Sequence, residues 1–366
     1  MASIIPKPDF DVKTDCKMLH SVMEPSTARK APDATARSLI QILTTRSYDQ
    51  RQEIVASYRE YYGRYLAQDV RSCVSSSGLR EGLLTLVRPY SVRDASAIHK
   101  ALTCRMVDEH TLLEIMASRD FDELQDICDS YKDLFKVELW KAIKSELSGN
   151  LEAQMTMMLT DRRSRAPVEE VRVREATREL HNVSRGKWKD KKHQVASKFR
   201  RESFGQLRAI FNEYERLYGE SIEDLVERDM RGHIGRLVGY LMRFARSEVC
   251  FYAWCLHKAL RGELGDKSPL QRAVMGHSCP KTVVTRIVLS RCDVDMLNII
   301  TAYEETYGSC LRGDICAATH GELRDLLMAA CGWSWPVKGH DHHPRPMVRA
   351  DSGFDIAGLL PNEMDR

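Results

Sequence analysis

Several features that would place the chain in a familiar class are missing from its 366 residues. No apolar run approaches the roughly 20 residues that a membrane-spanning helix needs, and Pro6 and Pro8 interrupt the start of the chain, where a signal peptide requires an apolar stretch. The 55 Lys and Arg residues nearly balance the 52 Asp and Glu residues, so the net charge is only +3. These absences predict a soluble cytoplasmic protein, in which attraction to an acidic partner must come from local clusters of charge.

Paired cysteines and catalytic motifs are absent as well. The eleven cysteines include no Cys-x-x-Cys pair, which favours reduced thiols in helix cores over a disulfide framework or a zinc site. No nucleophile, base and orienting group recur at motif spacing, so we expect no enzymatic activity. Strand-like alternation of apolar and polar residues is also missing, which predicts an all-α fold.

The chain does contain one sequence pattern that occurs four times, which we call the repeated phrase. Each copy reads Ile, three residues, Tyr, three residues, an aromatic residue, three residues, Leu or Ile. The copies begin at Ile54, Ile127, Ile210 and Ile299, which are 73, 83 and 89 residues apart. A spacing of four is the apolar stripe of an α-helix, and its repetition indicates a helical unit repeated around a shared core.

Five helices are predicted in each repeat, and the second repeat shows them best. Its pattern predicts helices at residues 94–102, 109–118, 122–135, 139–144 and 151–159. In the other repeats, Gly63, Gly219 and Gly308 are expected to end the third helix as C′ glycines.

Composition shifts then divide the chain into segments. They predict an N-terminal head at 1–12, four repeats at 13–88, 89–160, 170–247 and 248–333, a linker at 161–169, an inserted loop at 262–279 and a poorly ordered tail at 334–366. The linker is rich in Arg and contains Pro167. We expect it to separate two pairs of consecutive repeats.

The organisation resembles that of the annexins. Each repeat has five helices, and an Arg ends the second helix at Arg46, Arg119 and Arg291. The third repeat departs from this pattern, with Glu202 in the Arg position and Arg201 beside it. The most specific stretches are residues 112–119 and 145–150, and the resemblance covers about residues 13–333. It implies four annexin-like repeats of five helices in a curved disc, which binds anionic phospholipid peripherally through calcium.

In this family, loop carbonyls of a Gly-x-Gly-Thr turn between the first and second helices hold calcium together with a carboxylate after the fourth helix. Calcium needs six to eight oxygen ligands, and glycines let a tight loop turn its carbonyls inward. The carboxylate position is occupied by Cys73, Glu146, Asp229 and Ala318. Only two acids remain and no repeat keeps the whole glycine turn, which predicts weakened calcium binding at fewer sites than repeats.

The two middle repeats are therefore the candidate calcium sites. The resemblance assigns the carbonyls of Leu102, Cys104 and Met106 with the Glu146 carboxylate to one site. It assigns those of Gly186, Lys187 and Lys189 with the Asp229 carboxylate to the other. We expect an affinity near the weak end of calcium modules, ~10⁻⁴ to 10⁻³ M. The alternative is that Glu146 and Asp229 only cap helix turns.

The degenerate loops are basic, which suggests a direct contribution to membrane binding. The candidate membrane contacts are Arg105, Lys187, Trp188, Lys189, Lys191 and Lys192. A Lys or Arg near an anionic membrane contributes about 1 kcal/mol, and Trp favours the headgroup interface. The alternative is a solvated basic loop with a core-facing Trp.

Two other functions stay open at this stage. An annexin-like scaffold could act through protein contacts, for example with the cytoskeleton, independently of calcium. Binding of nucleic acid or a heparin-like polyanion at residues 185–201 is less favoured, because the segment contains no recognition motif.

Overall fold

The structure is a computed structural model that describes residues 1–185, 188–263 and 280–333. Within these ranges all regular secondary structure is helical, which confirms the all-α prediction. The predicted tail and most of the inserted loop lie outside the described residues.

Among the described residues, five helices recur in each repeat, and the first repeat has one additional short helix after its first. The first repeat contains Val12–Met23, Pro25–Lys30, Pro32–Thr44, Tyr48–Tyr62, Leu66–Cys73 and Ser77–Val87. The second contains Tyr90–Thr103, Glu109–Ser118, Phe121–Phe135, Leu139–Glu146 and Gly149–Thr160. The third contains Glu170–Ser184, Trp188–Arg201, Phe204–Tyr218, Ile222–Asp229 and His233–Arg246. The fourth contains Glu248–Leu260, Pro280–Arg291, Met296–Tyr307, Leu311–Ala318 and Gly321–Ala330.

Local residues determine where the third of the five recurring helices begins and ends in each repeat. In repeat 1 this helix is Tyr48–Tyr62. Ser47 and Asp120 begin two of these helices with complete capping boxes. Gly63, Gly219 and Gly308 end three of them with φ between 60° and 68°, as predicted for C′ glycines. Between the caps, the first Ile and Tyr of each phrase are buried and face the core.

The helices pack into two units that do not follow the order of the chain. One unit contains residues 1–90 with the described residues between 252 and 333, and the other contains residues 91–251 apart from 186–187. Repeats 1 and 4 therefore share one unit, and repeats 2 and 3 share the other. The expected pairing of consecutive repeats across the linker is wrong.

Contacts within the units explain this grouping. In the first unit, Gly82 lies so close to the last helix of repeat 4 that a Cβ atom there would be 2.4 Å from Leu326 Cδ2. In the second, the linker is fixed to repeat 3, because Ser164 donates its backbone N–H to the Arg201 carbonyl at 2.7 Å. The Arg163 guanidinium donates to the Phe199 carbonyl at 2.9 Å. Close helix packing, which a linker composition does not reveal, decides which repeats associate.

The arginine after the second helix links helices in repeats 1 and 2. Arg46 Nη2 lies 2.7 Å from Asp15 Oδ1, and Arg119 Nε lies 2.7 Å from Asp94 Oδ2. Repeat 3 has a different buried pair, in which Arg200 Nε lies 2.8 Å from Oδ2 of Asp161 in the linker. In repeat 3, where Glu202 takes the expected Arg position, the buried ion pair thus joins the second helix to the linker instead of to the first helix.

Candidate calcium and membrane site

The candidate loop of repeat 2 is short and closed by hydrogen bonds. The Asp108 backbone N–H donates to the Ala101 carbonyl at 2.9 Å, and the Asp108 side chain caps the second helix by accepting from Thr111 N–H at 3.1 Å. Leu102 lies in the last turn of the first helix and is buried, whereas Cys104, Arg105 and Met106 are exposed. The Cys104 thiol donates to the Met106 carbonyl. The loop thus turns this carbonyl toward the end of the first helix.

Glu146 is the last residue of the fourth helix of repeat 2 and is exposed. The Ser145 hydroxyl donates a hydrogen bond to Glu146 Oε1 at 3.4 Å. Glu146 forms no ion pair with any residue that the structure describes. Burial, and then the nearby negative charge of Glu146, raise the pKa of Tyr131. The Tyr131 hydroxyl in turn lies 3.0 Å from His99 Nδ1, on the helix that leads into the candidate loop. The carboxylate is therefore exposed and has no ion pair among the described residues.

The candidate site of repeat 3 is different. Gly186 and Lys187 lie outside the described residues, and Lys189 lies in the first turn of the helix Trp188–Arg201. A carbonyl at that position belongs to the helical hydrogen-bond pattern and is directed along the helix axis. Asp229 is exposed, but Arg228 Nε lies 3.1 Å from Asp229 Oδ1. This guanidinium competes with any cation for the carboxylate.

Repeats 1 and 4 place a carboxylate one helical turn before the expected position. The hydroxyls of Tyr58 and Tyr303 donate to Asp69 and Asp314, each at 2.7 Å. At the expected position of repeat 1, burial raises the pKa of the Cys73 thiol to about 11, so a neutral thiol stands there at neutral pH. These two repeats fix their acids to core tyrosines and do not fit calcium, which requires accessible anionic oxygen.

A stacked histidine that sequence reasoning missed lies on the first helix of every repeat. Its ring stacks on the second aromatic residue of the repeated phrase, with ring centroids 3.7 to 4.0 Å apart and interplanar angles of 5° to 16°. The four pairs are His20 with Tyr62, His99 with Phe135, His181 with Tyr218 and His257 with Tyr307. Each histidine lies near the end of the first helix. The stack therefore joins the start of the candidate loop to the end of the third helix.

The candidate membrane contacts that the structure describes lie in the loop of repeat 2 and on the second helix of repeat 3, where the sequence predicted a loop. Arg105 is exposed in repeat 2, and Lys191 and Lys192 are partly exposed in the second helix of repeat 3. Trp188 begins that helix. Within the described ranges, no group of three or more His, Cys, Asp or Glu side chains could hold a metal. No helix in those ranges is both long and apolar enough to cross a membrane.

Comparisons with known proteins show which family shares this organisation. The Annexin family model matches residues 15–86, 93–158, 191–241 and 267–330, one segment in each repeat. Annexin A5 of Cynops pyrrhogaster is 28% identical over 327 residues, covering 89% of this chain and 94% of that protein. Annexin A3 of Mus musculus is 29% identical over 297 residues, covering 81% of this chain and 87% of that protein.

Solved structures show the same fold. The structure of annexin III has a TM-score of 0.76 and 26% sequence identity, and the alignment covers 90% of this chain and 97% of that one. Calcium-bound annexin (Sm)1 has a TM-score of 0.76 and 21% identity, with 92% and 94% of the two chains covered. The four-repeat helical architecture is therefore shared with proteins of low sequence identity.

Proposed function

The chain belongs to the annexin family, whose members generally bind phospholipid in a calcium-dependent manner, and from this premise we propose that it attaches peripherally to anionic membranes through one weak calcium site in repeat 2. Basic loop residues add electrostatic attraction. We place the protein in the cytoplasm and assign it no catalytic activity.

The availability of Glu146 carries this proposal. Of the four equivalent positions, two hold Cys73 and Ala318, and Asp229 is paired with Arg228. Glu146 is exposed, with no ion pair among the described residues, and an intact turn follows it in which Gly149 has a φ of 62°. An unpaired carboxylate keeps its full charge for a divalent cation, whereas a paired one must first release its partner.

Different residues of repeat 2 would bind calcium and lipid phosphate. The carbonyls of Leu102, Cys104 and Met106 and the carboxylate of Glu146 would hold calcium, which supplies positive charge to lipid phosphate when bound. Arg105, exposed in the same loop, attracts phosphate directly. Because Cys104 and Met106 are not glycines, the loop adopts positive φ only at a cost, and we expect weak affinity.

Calcium-stimulated sedimentation with phosphatidylserine vesicles tests the proposal. Glu146→Gln should remove most of the calcium-stimulated binding, because the amide keeps the shape but loses the charge. Cys73→Ala is the matched control at the equivalent position of repeat 1 and should bind like the wild type. Undiminished calcium stimulation in Glu146→Gln would contradict the assignment of the site.

The degenerate loops favour one alternative, a scaffold that acts through protein contacts without calcium, for example on the cytoskeleton. In repeats 1 and 4 the acids are bound to Tyr58 and Tyr303 inside the fold. The same assay distinguishes the two functions. Binding to filaments that is indifferent to calcium, together with no sedimentation with anionic vesicles, would support the scaffold.

A further inference from the structure

Repeat 2 exposes three large apolar side chains at the turn between its third and fourth helices. Leu134, Val137 and Trp140 are 45%, 44% and 47% exposed. Exposed lysines adjoin them at Lys136, Lys141 and Lys144. We call these six residues the Trp140 patch.

The charges around the patch are uneven. Lys132, on the preceding helix, is bound to Glu138 at 2.8 Å, and Asp129 and Asp133 lie near it. Lys136, Lys141 and Lys144 have no ion-pair partner among the described residues, and Lys141 Nζ lies 5.4 Å from the centroid of the Trp140 ring. The fourth helix thus presents an aromatic ring with unpaired ammonium groups, the combination that suits the boundary between lipid headgroups and acyl chains.

The backbone at Lys136 is the second observation. Its φ is 60°, and in the described ranges it is the one residue other than glycine with positive φ. The three other repeats have Gly63, Gly219 and Gly308 at this place. A lysine in the left-handed region is disfavoured relative to glycine. Its presence here is explained if the side chain contributes something that glycine cannot.

The patch is specific to the repeat that holds the candidate calcium site. The positions equivalent to Trp140 are Ala67, Glu223 and Arg312. In repeat 3 the same turn is acidic, with Glu220, Glu223 and Asp224. An anionic surface would attract the turn of repeat 2 more than that of repeat 3, where Arg228 and Arg246 pair with Glu220 and Glu223.

The third and fourth helices connect the patch to the candidate site. Phe135, at the end of the third helix, stacks on His99 at 3.7 Å, and His99 lies one turn before the loop that contains Arg105. The fourth helix, which carries Trp140, ends at Glu146. Six residues of α-helix separate these two positions by about 9 Å.

We propose that the Trp140 patch is a second membrane contact of repeat 2, in which Trp140, Leu134 and Val137 enter the headgroup layer and the three lysines bind lipid phosphate. This inference rests on the proposed function, because it requires that repeat 2 faces a membrane. It differs from the calcium site in needing no metal. The patch therefore contributes in chelator as well as in calcium.

A pair of equivalent leucines provides a sharp test. Leu134 in repeat 2 and Leu217 in repeat 3 occupy the same position of the repeated unit and are both 45% exposed. Sedimentation of the full chain with phosphatidylserine vesicles is measured for Leu134→Ser, Leu217→Ser and Trp140→Ala. Leu134→Ser and Trp140→Ala should each raise the lipid concentration at half-saturation on the order of tenfold, the effect of keeping one large apolar side chain out of the interface. Leu217→Ser should bind like the wild type.

The variant Lys136→Gly distinguishes a loss of membrane contact from a loss of folding, because it should change stability and vesicle binding in opposite directions. Relief of the positive φ should raise the urea midpoint of unfolding, while loss of the ammonium should weaken vesicle binding. Higher stability with unchanged binding would contradict the role of Lys136.

The outcomes separate this inference from the proposed function. A wild-type chain that never sediments with vesicles would overturn both. If the wild type binds and Glu146→Gln abolishes calcium stimulation, but Leu134→Ser and Trp140→Ala bind normally, the patch is not a membrane contact and the proposed function stands. Suppose instead that Leu134→Ser and Trp140→Ala bind vesicles normally but differ from the wild type in sedimentation coefficient without lipid. The patch would then be assigned to association between copies, and the inference would be overturned.

Discussion

At the scale of single residues, Arg200 shows how repeat 3 forms a buried ion pair that differs from those of repeats 1 and 2. The side chain of Asp161 is 9% exposed and accepts from Arg200 Nε at 2.8 Å and from Arg201 Nη2 at 2.8 Å. Glu202, at the position where an Arg was expected, is paired with Arg172 Nη2 at 2.8 Å. Repeat 3 therefore pairs Asp161 with Arg200 and Glu202 with Arg172, and Asp161 anchors the linker to repeat 3.

Replacement of Asp161 by Asn should destabilise the protein by about 3 kcal/mol, because it leaves the buried Arg200 guanidinium without its partner. Burial opposes ionisation of Asp161, but hydrogen bonds from Arg200 and Arg201 outweigh it and hold the pKa of this carboxyl below its usual value. Its stabilising effect is then complete above the unfolded pKa of about 3.9 and is lost as pH falls through the folded pKa. Urea unfolding of the wild type and D161N should converge in acid.

Asp122→Asn is the matched control for this prediction. Its carboxylate pairs with Arg165, but the side chain is 57% exposed, so the pair is screened by solvent. The control should unfold close to the wild type at every pH. A stability difference between the wild type and D161N that acid does not reduce would contradict the linkage argument.

At the scale of elements, the sequence contained enough information for the helices but not for their partners. The phrase beginning at Ile127 predicted a third helix at 122–135, and the structure has Phe121–Phe135. The stack of His99 on Phe135 was missed because it joins helices whose separation in sequence differs between repeats. Periodicity reports which face of a helix is buried, and it does not report which residue of another helix meets that face.

The prediction of the candidate sites from the sequence was limited in the same way. Spacing located Glu146 and Asp229 equally well, but only the structure shows that Arg228 pairs with Asp229. Likewise, spacing did not reveal that Tyr303 holds Asp314. The availability of a carboxylate depends on neighbours in three dimensions, which no count along the chain supplies.

The loop at residues 104–108 is the element that we expect to limit calcium affinity. Restoring glycines with Cys104→Gly and Met106→Gly should let the carbonyls turn inward without strain. The calcium concentration at half-maximal vesicle binding should then fall roughly tenfold, toward the middle of the range for calcium modules. Vesicle sedimentation over a calcium series measures this midpoint.

The same glycine substitutions in the Glu146→Gln background provide the control. Without the carboxylate, a more flexible loop should give no gain in calcium sensitivity. An equal gain in both backgrounds would mean that calcium binds elsewhere, and the prediction would fail.

At the scale of the whole molecule, the two units carry different chemistry. The unit of repeats 2 and 3 contains Glu146 and Arg105. The unit of repeats 1 and 4 contains Asp69 and Asp314, bound to core tyrosines. We therefore expect membrane binding to depend on substitutions in one unit and to tolerate equivalent substitutions in the other.

The net charge of +3 is too small to hold the chain on an anionic membrane by itself, so attachment in chelator must come from local clusters. The densest basic segment starts at Lys187, and Lys191 and Lys192 are partly exposed on its helix. Charge reversal of Lys187, Lys189, Lys191 and Lys192 to Glu should remove most of the vesicle binding in chelator at low salt. Wild-type binding in chelator should itself weaken steeply toward physiological salt, where the Debye length is about 8 Å.

A second charge-reversed variant distinguishes the local cluster from the global charge. Lys7, Lys13 and Lys17 are exposed on the head and first helix, and reversing all three also makes the net charge negative. This control should keep most of its binding in chelator, and both variants should keep the wild-type helix content by circular dichroism. If the two variants lose binding equally, the global field governs attachment. If neither loses it, the basic segment is a solvated surface, and attachment in chelator depends on other residues, such as those of the Trp140 patch.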